Sequence, residues 1–378
     1  MRYELERVEI SGEEEARART WAVLEAAFES RIPTPQRSQW PRVAVVAVAL
    51  AALLASAFSP PGQAVIDEIR EVVGVERAER ALFALPSSGK LLVTSDAGVW
   101  VVQDDGARRL LGSYREASWS PFGRFVVAAR ANELAALEPD GKVRWTLARP
   151  DVRTPRWAGT EIDTRIAYVD RTGLRVVAGD GTGDRLLVRG FAGTIAWRPG
   201  ERFVLAYATA REINVVDTES GQILWRKART GQRPTNLAWS SDGRRLIAVA
   251  PRPLVVYDNR GAIPYELGPA AAPVSAAALA PSGRSLVFAQ QAGRRAQVWV
   301  VPRIRPDAST ARRLFAGTAT FDQLSWTPEG RWVVVAWPAA DQWVFVRANG
   351  AGIRAVANVS EQFRSRSFPR IEGWCCAP

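Results

Sequence analysis

Trp119-Ser-Pro-Phe-Gly123-Arg-Phe-Val-Val and Trp239-Ser-Ser-Asp-Gly243-Arg-Arg-Leu-Ile are two copies of one pattern. A large apolar anchor is followed by a polar turn, a glycine four residues on, and a run rich in β-branched and aliphatic residues. The same order appears in Leu85-Pro-Ser-Ser-Gly89-Lys-Leu-Leu-Val, Leu279-Ala-Pro-Ser-Gly283 and Trp326-Thr-Pro-Glu-Gly330. Trp197-Arg-Pro-Gly200 is one residue shorter, and Trp157 opens a version with a longer turn, Ala158-Gly-Thr-Glu-Ile-Asp-Thr164.

The anchors at 85, 119, 157, 197, 239, 279 and 326 lie 34, 38, 40, 42, 40 and 47 residues apart. A period near forty with hairpin signals inside it marks propeller blades. Between anchors a second hairpin recurs: Val99-Trp-Val-Val, Leu134-Ala-Ala-Leu, Leu174-Arg-Val-Val, Ile213-Asn-Val-Val, Leu254-Val-Val-Tyr, Val298-Trp-Val-Val and Trp343-Val-Phe-Val. Gly141, Gly181, Gly221 and Gly261 close four of these units. Each unit therefore supplies four strands, and the expected fold is an all-β, seven-bladed propeller over residues 82–378, with a six-bladed ring as the alternative. The tryptophans should fill the space between blades, because a lone sheet cannot bury both of its faces. Trp119, Trp157, Trp197, Trp239 and Trp326 are the structural anchors. Trp374, in Ile371-Glu-Gly-Trp374-Cys-Cys, reads as an eighth, partial anchor that closes the ring against the first blade.

The Trp-Ser-Pro-x-Gly-Arg form of residues 119–124, echoed at 239 and 326, resembles the WD-like repeats of TolB-like propellers. The resemblance covers about residues 82–376. It implies four-stranded blades and a protein-binding or scaffolding role. No room exists for the small α/β domain that precedes the propeller in TolB, and the His-containing signature of eukaryotic WD repeats is missing.

Composition argues against catalysis. The chain has no His, which removes the commonest general base and metal ligand. No G-x-S-x-G elbow, Walker loop or G-x-G-x-x-G fingerprint occurs. A carboxylate-based lyase or hydrolase at the ring mouth is the surviving enzyme reading, and it ranks last; no cofactor is expected. Asp180-Gly-Thr-Gly-Asp184 has the look of a calcium loop but lacks further acidic ligands at the required spacing, so it reads as a hairpin turn. Cys375 and Cys376 are adjacent, without C-x-x-C spacing. They read as two unpaired strand cysteines, with a vicinal disulfide as the alternative in an oxidising compartment.

Residues 43–58, VAVVAVALAALLASAF, carry no charge, and counting from Trp40 the apolar stretch reaches nineteen residues. At about 1.5 Å per residue that suffices for a hydrocarbon layer of about 30 Å. Residues 41–59 are thus expected to span a membrane once. Arg31, Arg37 and Arg42 precede the segment, whereas the first basic residue after it is Arg70, which places the N-terminus in the cytoplasm and the propeller outside. Ala55-Ser-Ala57 offers the alternative of cleavage near Ala57 and a secreted product. Within the cytoplasmic residues 1–40, Ser11-Gly-Glu-Glu14 has the form of a capping box opening a helix over 12–30, on which Trp21, Leu24 and Phe28 share one face. That face suits either a cytoplasmic protein partner or the membrane surface. Residues 60–81 are expected to form a short helical stalk, in which Val65, Ile66, Ile69, Val72 and Val73 recur at helical spacing, packed on the domain that follows.

The net charge is +11, and residues 1–42 hold seven Arg against eight Asp or Glu, so the excess lies in the propeller. Only Lys90, Lys142 and Lys227 are lysines, an Arg bias that fits a GC-rich genome as well as an anionic partner. Arg130, Arg171, Arg211, Arg252 and Arg294 fall one each in the loops joining second and third strands of blades two to six, where they would form a rim for an acidic protein or anionic envelope component. Nucleic acid is not expected. The leading functional expectation is a membrane-anchored, non-catalytic binding or scaffolding module outside the cytoplasm. The alternative is a single-pass regulator, similar in layout to anti-sigma factors, whose propeller senses an external signal while residues 12–30 hold an internal partner.

Overall fold

Blade 2 shows how the repeat folds. The anchor Trp119 ends a short strand, Glu116–Trp119; the turn that follows reverses the chain into Val126–Arg130, then Glu133–Leu137 and Val143–Ala148, each antiparallel to the last. The computed structural model describes residues 84–158, 164–229, 232–251, 254–258, 265–266, 272–304 and 311–376. Within them lie seven four-stranded sheets. Seven blades are therefore present, and the six-bladed alternative is ruled out. The segments expected at 1–40, 41–59 and 60–81 lie outside the described residues, as do Trp21, Leu24 and Phe28. No helix among the described residues is long and apolar enough to cross a membrane.

Burial explains the ring. Among the described residues the apolar side chains do not form one core but seven clusters, each drawn from two consecutive blades. Trp239 packs with Ala206 and Val215 of blade 4 and with Leu246 and Tyr257 of its own blade 5. Trp197 joins blades 3 and 4, Trp157 joins 2 and 3, and Trp326 joins 6 and 7. Blades 5 and 6, 1 and 2, and 7 and 1 share the remaining clusters. Alternation along each strand sends side chains to both faces of a sheet, and only a neighbour on each side can bury both.

Ring closure corrects the sequence reading at one blade. Leu85 does not end an inner strand. That place in blade 1 belongs to Trp374, in the C-terminal strand Arg370–Cys375, which pairs with Lys90–Ser95 so that Trp374 lies opposite Leu91 as Trp119 lies opposite Val126. Leu85 and Trp374 are thus two landmarks of one blade, and the partial eighth unit is the missing first strand of the first. Gly89 takes φ +105, and a Cβ there would lie 2.5 Å from the Cys375 carbonyl oxygen, so only glycine lets the first blade's second strand meet the C-terminal strand.

The cysteines also depart from expectation. Cys375 and Cys376 are joined as a vicinal disulfide rather than left as free thiols. The pleat of a strand would point adjacent side chains to opposite faces, but Cys376 leaves the strand at φ +61, which brings both sulfurs to one side. They pack there against Gly123 of blade 2.

The connector from blade 7 back to blade 1 carries a helical turn, Val359–Gln362, that no periodicity announces. It seats Phe363, fully buried, edge-on to Trp100 at 5.7 Å and against Trp343 at 5.1 Å.

Candidate functional site

The inner strands run side by side in one direction. At their ends, Trp197 Nε1 donates to the Arg156 carbonyl (2.8 Å), Trp239 to Ala196 (3.2 Å) and Trp326 to Ala278 (3.0 Å), each reaching the residue just before the preceding blade's anchor. At their starts, the Thr154 N–H donates to Glu116 Oε2 (2.6 Å) and that of Ile371 to Gln323 Oε1 (2.8 Å). The ring consequently has two unlike faces. One holds the connectors between blades and the turns joining second to third strands. The other holds the Trp-x-x-x-Gly turns and those joining third to outer strands.

On the connector face the structure places Arg130, Arg171, Arg211 and Arg294 in the expected turns between second and third strands; Arg252 lies outside the described residues. Arg171, Arg211 and Arg294 are exposed, with no side-chain ion pair or hydrogen bond among the described residues. Arg115 and Arg233 are exposed on the same face. Arg130 differs. Its side chain is 47% exposed, yet Nε pairs with Glu133 at 3.0 Å and the guanidinium lies 4.6 Å from the Tyr114 ring centroid. A hydrogen bond from Arg130 to the Tyr114 hydroxyl (3.2 Å), with the charge of Glu133 behind it, holds the guanidinium still more firmly protonated than usual. Arg130 is therefore paired, and among the described residues of the expected rim Arg171, Arg211 and Arg294 remain unpaired.

On the anchor face, Asp180 Oδ1 accepts from the Thr182 N–H (2.9 Å) and hydroxyl (2.7 Å), which shapes a turn and holds its carboxyl below the usual range. Asp184 instead points between blades 2 and 3. Tyr168 donates to its Oδ1 (2.6 Å), and Arg175 and Arg149 to its Oδ2 (2.6 and 2.5 Å). Burial pushes the Asp184 carboxyl up, but the bonds from Arg175, Tyr168 and Arg149 outweigh it and hold the group below the ordinary carboxylate range. Burial, and then the bond to Asp184, raise Tyr168. The DGTGD segment is thus a hairpin turn whose acids are satisfied by the protein itself. Its Gly181 lies at φ +88 under the Trp145 ring, where a Cβ would come within 2.8 Å.

Next to that turn lies a feature that repeat analysis did not single out. A cleft of about 770 Å³ between blades 2 and 3 is lined by Phe122, Arg124, Phe125, Arg144, Trp145 and Trp157, among others. Phe125 stacks on Trp157 at 6.1 Å, and the Arg144 guanidinium lies 5.7 Å from the Phe125 centroid. The signal in the sequence was Phe122, which stands where the sibling turns carry Asp242, Ser282 and Glu329.

These features define a seven-bladed β-propeller with four-stranded blades. The chain is similar in fold to the Cps50 (Swd1) β-propeller domain of Myceliophteria thermophila, at 13% identity and a TM-score of 0.53, over 69% of this chain and 94% of that one. It is also similar to hydrazine synthase of Kuenenia stuttgartiensis, at 12% identity and a TM-score of 0.51, over 62% of this chain and 76% of that one. At such identities the likeness is one of fold. No protein-family model matches the chain, and no curated protein matches its sequence.

Proposed function

We propose that the chain is a membrane-tethered, non-catalytic binding propeller, TolB-like in its repeats, that recognises an acidic protein or anionic envelope component outside the cytoplasm. The observation that carries this reading is where the chain joins the ring. The Leu85 N–H donates to the Asp104 carbonyl (2.7 Å), and the Ser87 and Ser88 hydroxyls donate to Glu329 in the anchor turn of blade 7. The chain therefore arrives on the anchor face. The connector face, which carries Arg171, Arg211 and Arg294, lies on the opposite side of the ring from that entry point and is left for a partner. Unpaired guanidiniums suit carboxylate or phosphate through forked hydrogen bonds.

The test uses the full chain in detergent and poly-glutamate as an acidic probe. Replacing Arg171, Arg211 and Arg294 together by Glu should weaken binding at least tenfold and flatten its salt dependence, and unchanged binding would discard the rim. Protease added to intact spheroplasts should digest the propeller, whereas full protection would place it inside. The apolar face of Trp21, Leu24 and Phe28 favours a second reading, the transmembrane regulator, for which a peptide of residues 1–42 should capture one specific cytosolic protein.

A further inference from the structure

Phe122 is the most exposed large apolar side chain among the described residues, at 57%. It sits at φ +61 on the lip of the cleft between blades 2 and 3, above Phe125, Trp145 and Trp157. Beside it Arg124 is exposed without a side-chain partner among the described residues, and Arg144 crosses the Phe125 ring while pairing with Glu138 at 3.1 Å. Asp180 also lines the cleft but is taken up by Thr182, so Arg124 is the open charge over an aromatic floor, which fits an apolar helix face flanked by carboxylates.

The chain carries such a segment close by. In Val65-Ile-Asp-Glu-Ile-Arg-Glu-Val-Val73, the aliphatic residues recur at helical spacing, and Asp67, Glu68 and Glu71 accompany them. The covalent path leads to the right face. A Cβ on Gly89 would touch the Cys375 carbonyl oxygen at 2.5 Å, and one on Gly123 would touch Cys375 Sγ at 3.0 Å, so the first strand pairing and the Phe122 turn flank the same residue. The eleven peptide steps from Val73 to Ala84 reach up to about 36 Å when extended.

We propose that residues 65–73 dock as an amphipathic helix in the Phe122 cleft, with their carboxylates toward Arg124. Docking would shorten the free link that precedes the ring. The inference goes beyond the rim reading and does not depend on what Arg171, Arg211 and Arg294 bind.

The experiment places the photoreactive residue p-benzoylphenylalanine at position 122 of the full chain in detergent micelles and maps the crosslinked peptides of the monomer. The expected result is intramolecular crosslinking to residues 65–73. Ile66→Asp with Ile69→Asp, which leave the ring untouched, should cut that yield at least tenfold. Arg124→Glu should cut it severalfold, and adding Glu68→Arg and Glu71→Arg should restore it. Crosslinks confined to other segments, to a second molecule or to detergent would overturn the proposal, as would a yield indifferent to the two isoleucines. Poly-glutamate binding at the rim is a separate readout, so either reading can fail alone.

Discussion

The indole Nε1 of Trp239 donates to the main-chain oxygen of Ala196 across 3.2 Å, tying the anchor of blade 5 to the residue before the anchor of blade 4. Trp197 and Trp326 repeat this bond one blade earlier and two blades later. One side chain thus both fills the gap between two sheets and fixes their stagger.

The two contributions separate by mutation. Trp239→Phe keeps most of the packing but loses the donor and leaves the Ala196 oxygen short of a partner, for an expected loss of about 1–2 kcal/mol. Trp239→Ala also opens a cavity between blades 4 and 5, raising the loss to about 3–5 kcal/mol. Denaturant unfolding followed by circular dichroism measures both; equal losses would mean that the hydrogen bond contributes nothing.

Most of the ring could be read from the repeat, and the reasons are local. Trp119, Trp157, Trp197, Trp239, Leu279 and Trp326 each end an inner strand because packing between blades repeats at a fixed distance along the chain. Closure was legible in Trp374, read as a partial anchor against the first blade, but not that its strand is the inner strand of the Leu85 unit. Leu85-Pro-Ser-Ser-Gly89 looks like a full repeat, yet its inner strand is supplied by Trp374, whose partner Leu91 lies far away in sequence. The Phe122 cleft was missed because period analysis looks for sameness, and Phe122 matters by differing from its siblings. Arg130 looked like its rim neighbours until Tyr114 and Glu133, from two different strands or connectors, were seen to hold it.

The meeting of the chain ends makes its own prediction. Gly89→Ala forces a Cβ into the Cys375 and Cys376 carbonyl oxygens at 2.5 and 2.8 Å, at φ +105. Gly221→Ala, at φ +74, meets nothing within 4 Å. Left-handed strain alone costs about 1–2 kcal/mol, so Gly221→Ala should lose that much and Gly89→Ala clearly more. Paired thermal melts of the two variants check it, and equal losses would argue against the close approach.

Acid should expose the Asp184 cluster. The side chains of Asp184 and Arg175 are 7% and 15% exposed, so Asp184→Asn takes from Arg175 its closer carboxylate, leaving Asp170 at 3.7 Å, and should cost about 2–3 kcal/mol near neutral pH. The folded carboxyl titrates below its unfolded value of about 4, so its contribution is complete above that pH and is lost as pH falls through the lower, folded value. Wild type should therefore lose stability more steeply than Asp184→Asn below about pH 4. Urea midpoints taken between pH 7 and pH 2.5 read this difference, and parallel curves would contradict it.

The connector turn should matter as much as a strand. Phe363 is fully buried against Trp100 and Trp343, although the segment around it has no strand. Phe363→Ala is expected to cost about 3–5 kcal/mol, and a loss under 1 kcal/mol in denaturant titration would show the connector to be loosely seated.

Closure of the ring by the C-terminal strand is tested most directly by native-state hydrogen exchange of the amides in 370–375 and 90–95, set against those in 126–130 and 204–208. If Arg370–Cys375 is the inner strand of blade 1, its hydrogen-bonded amides exchange in the same slow class as the other blades, through opening of the whole ring. Rapid exchange of residues 370–375 while the remaining sheets stay protected would contradict the closed seven-bladed structure.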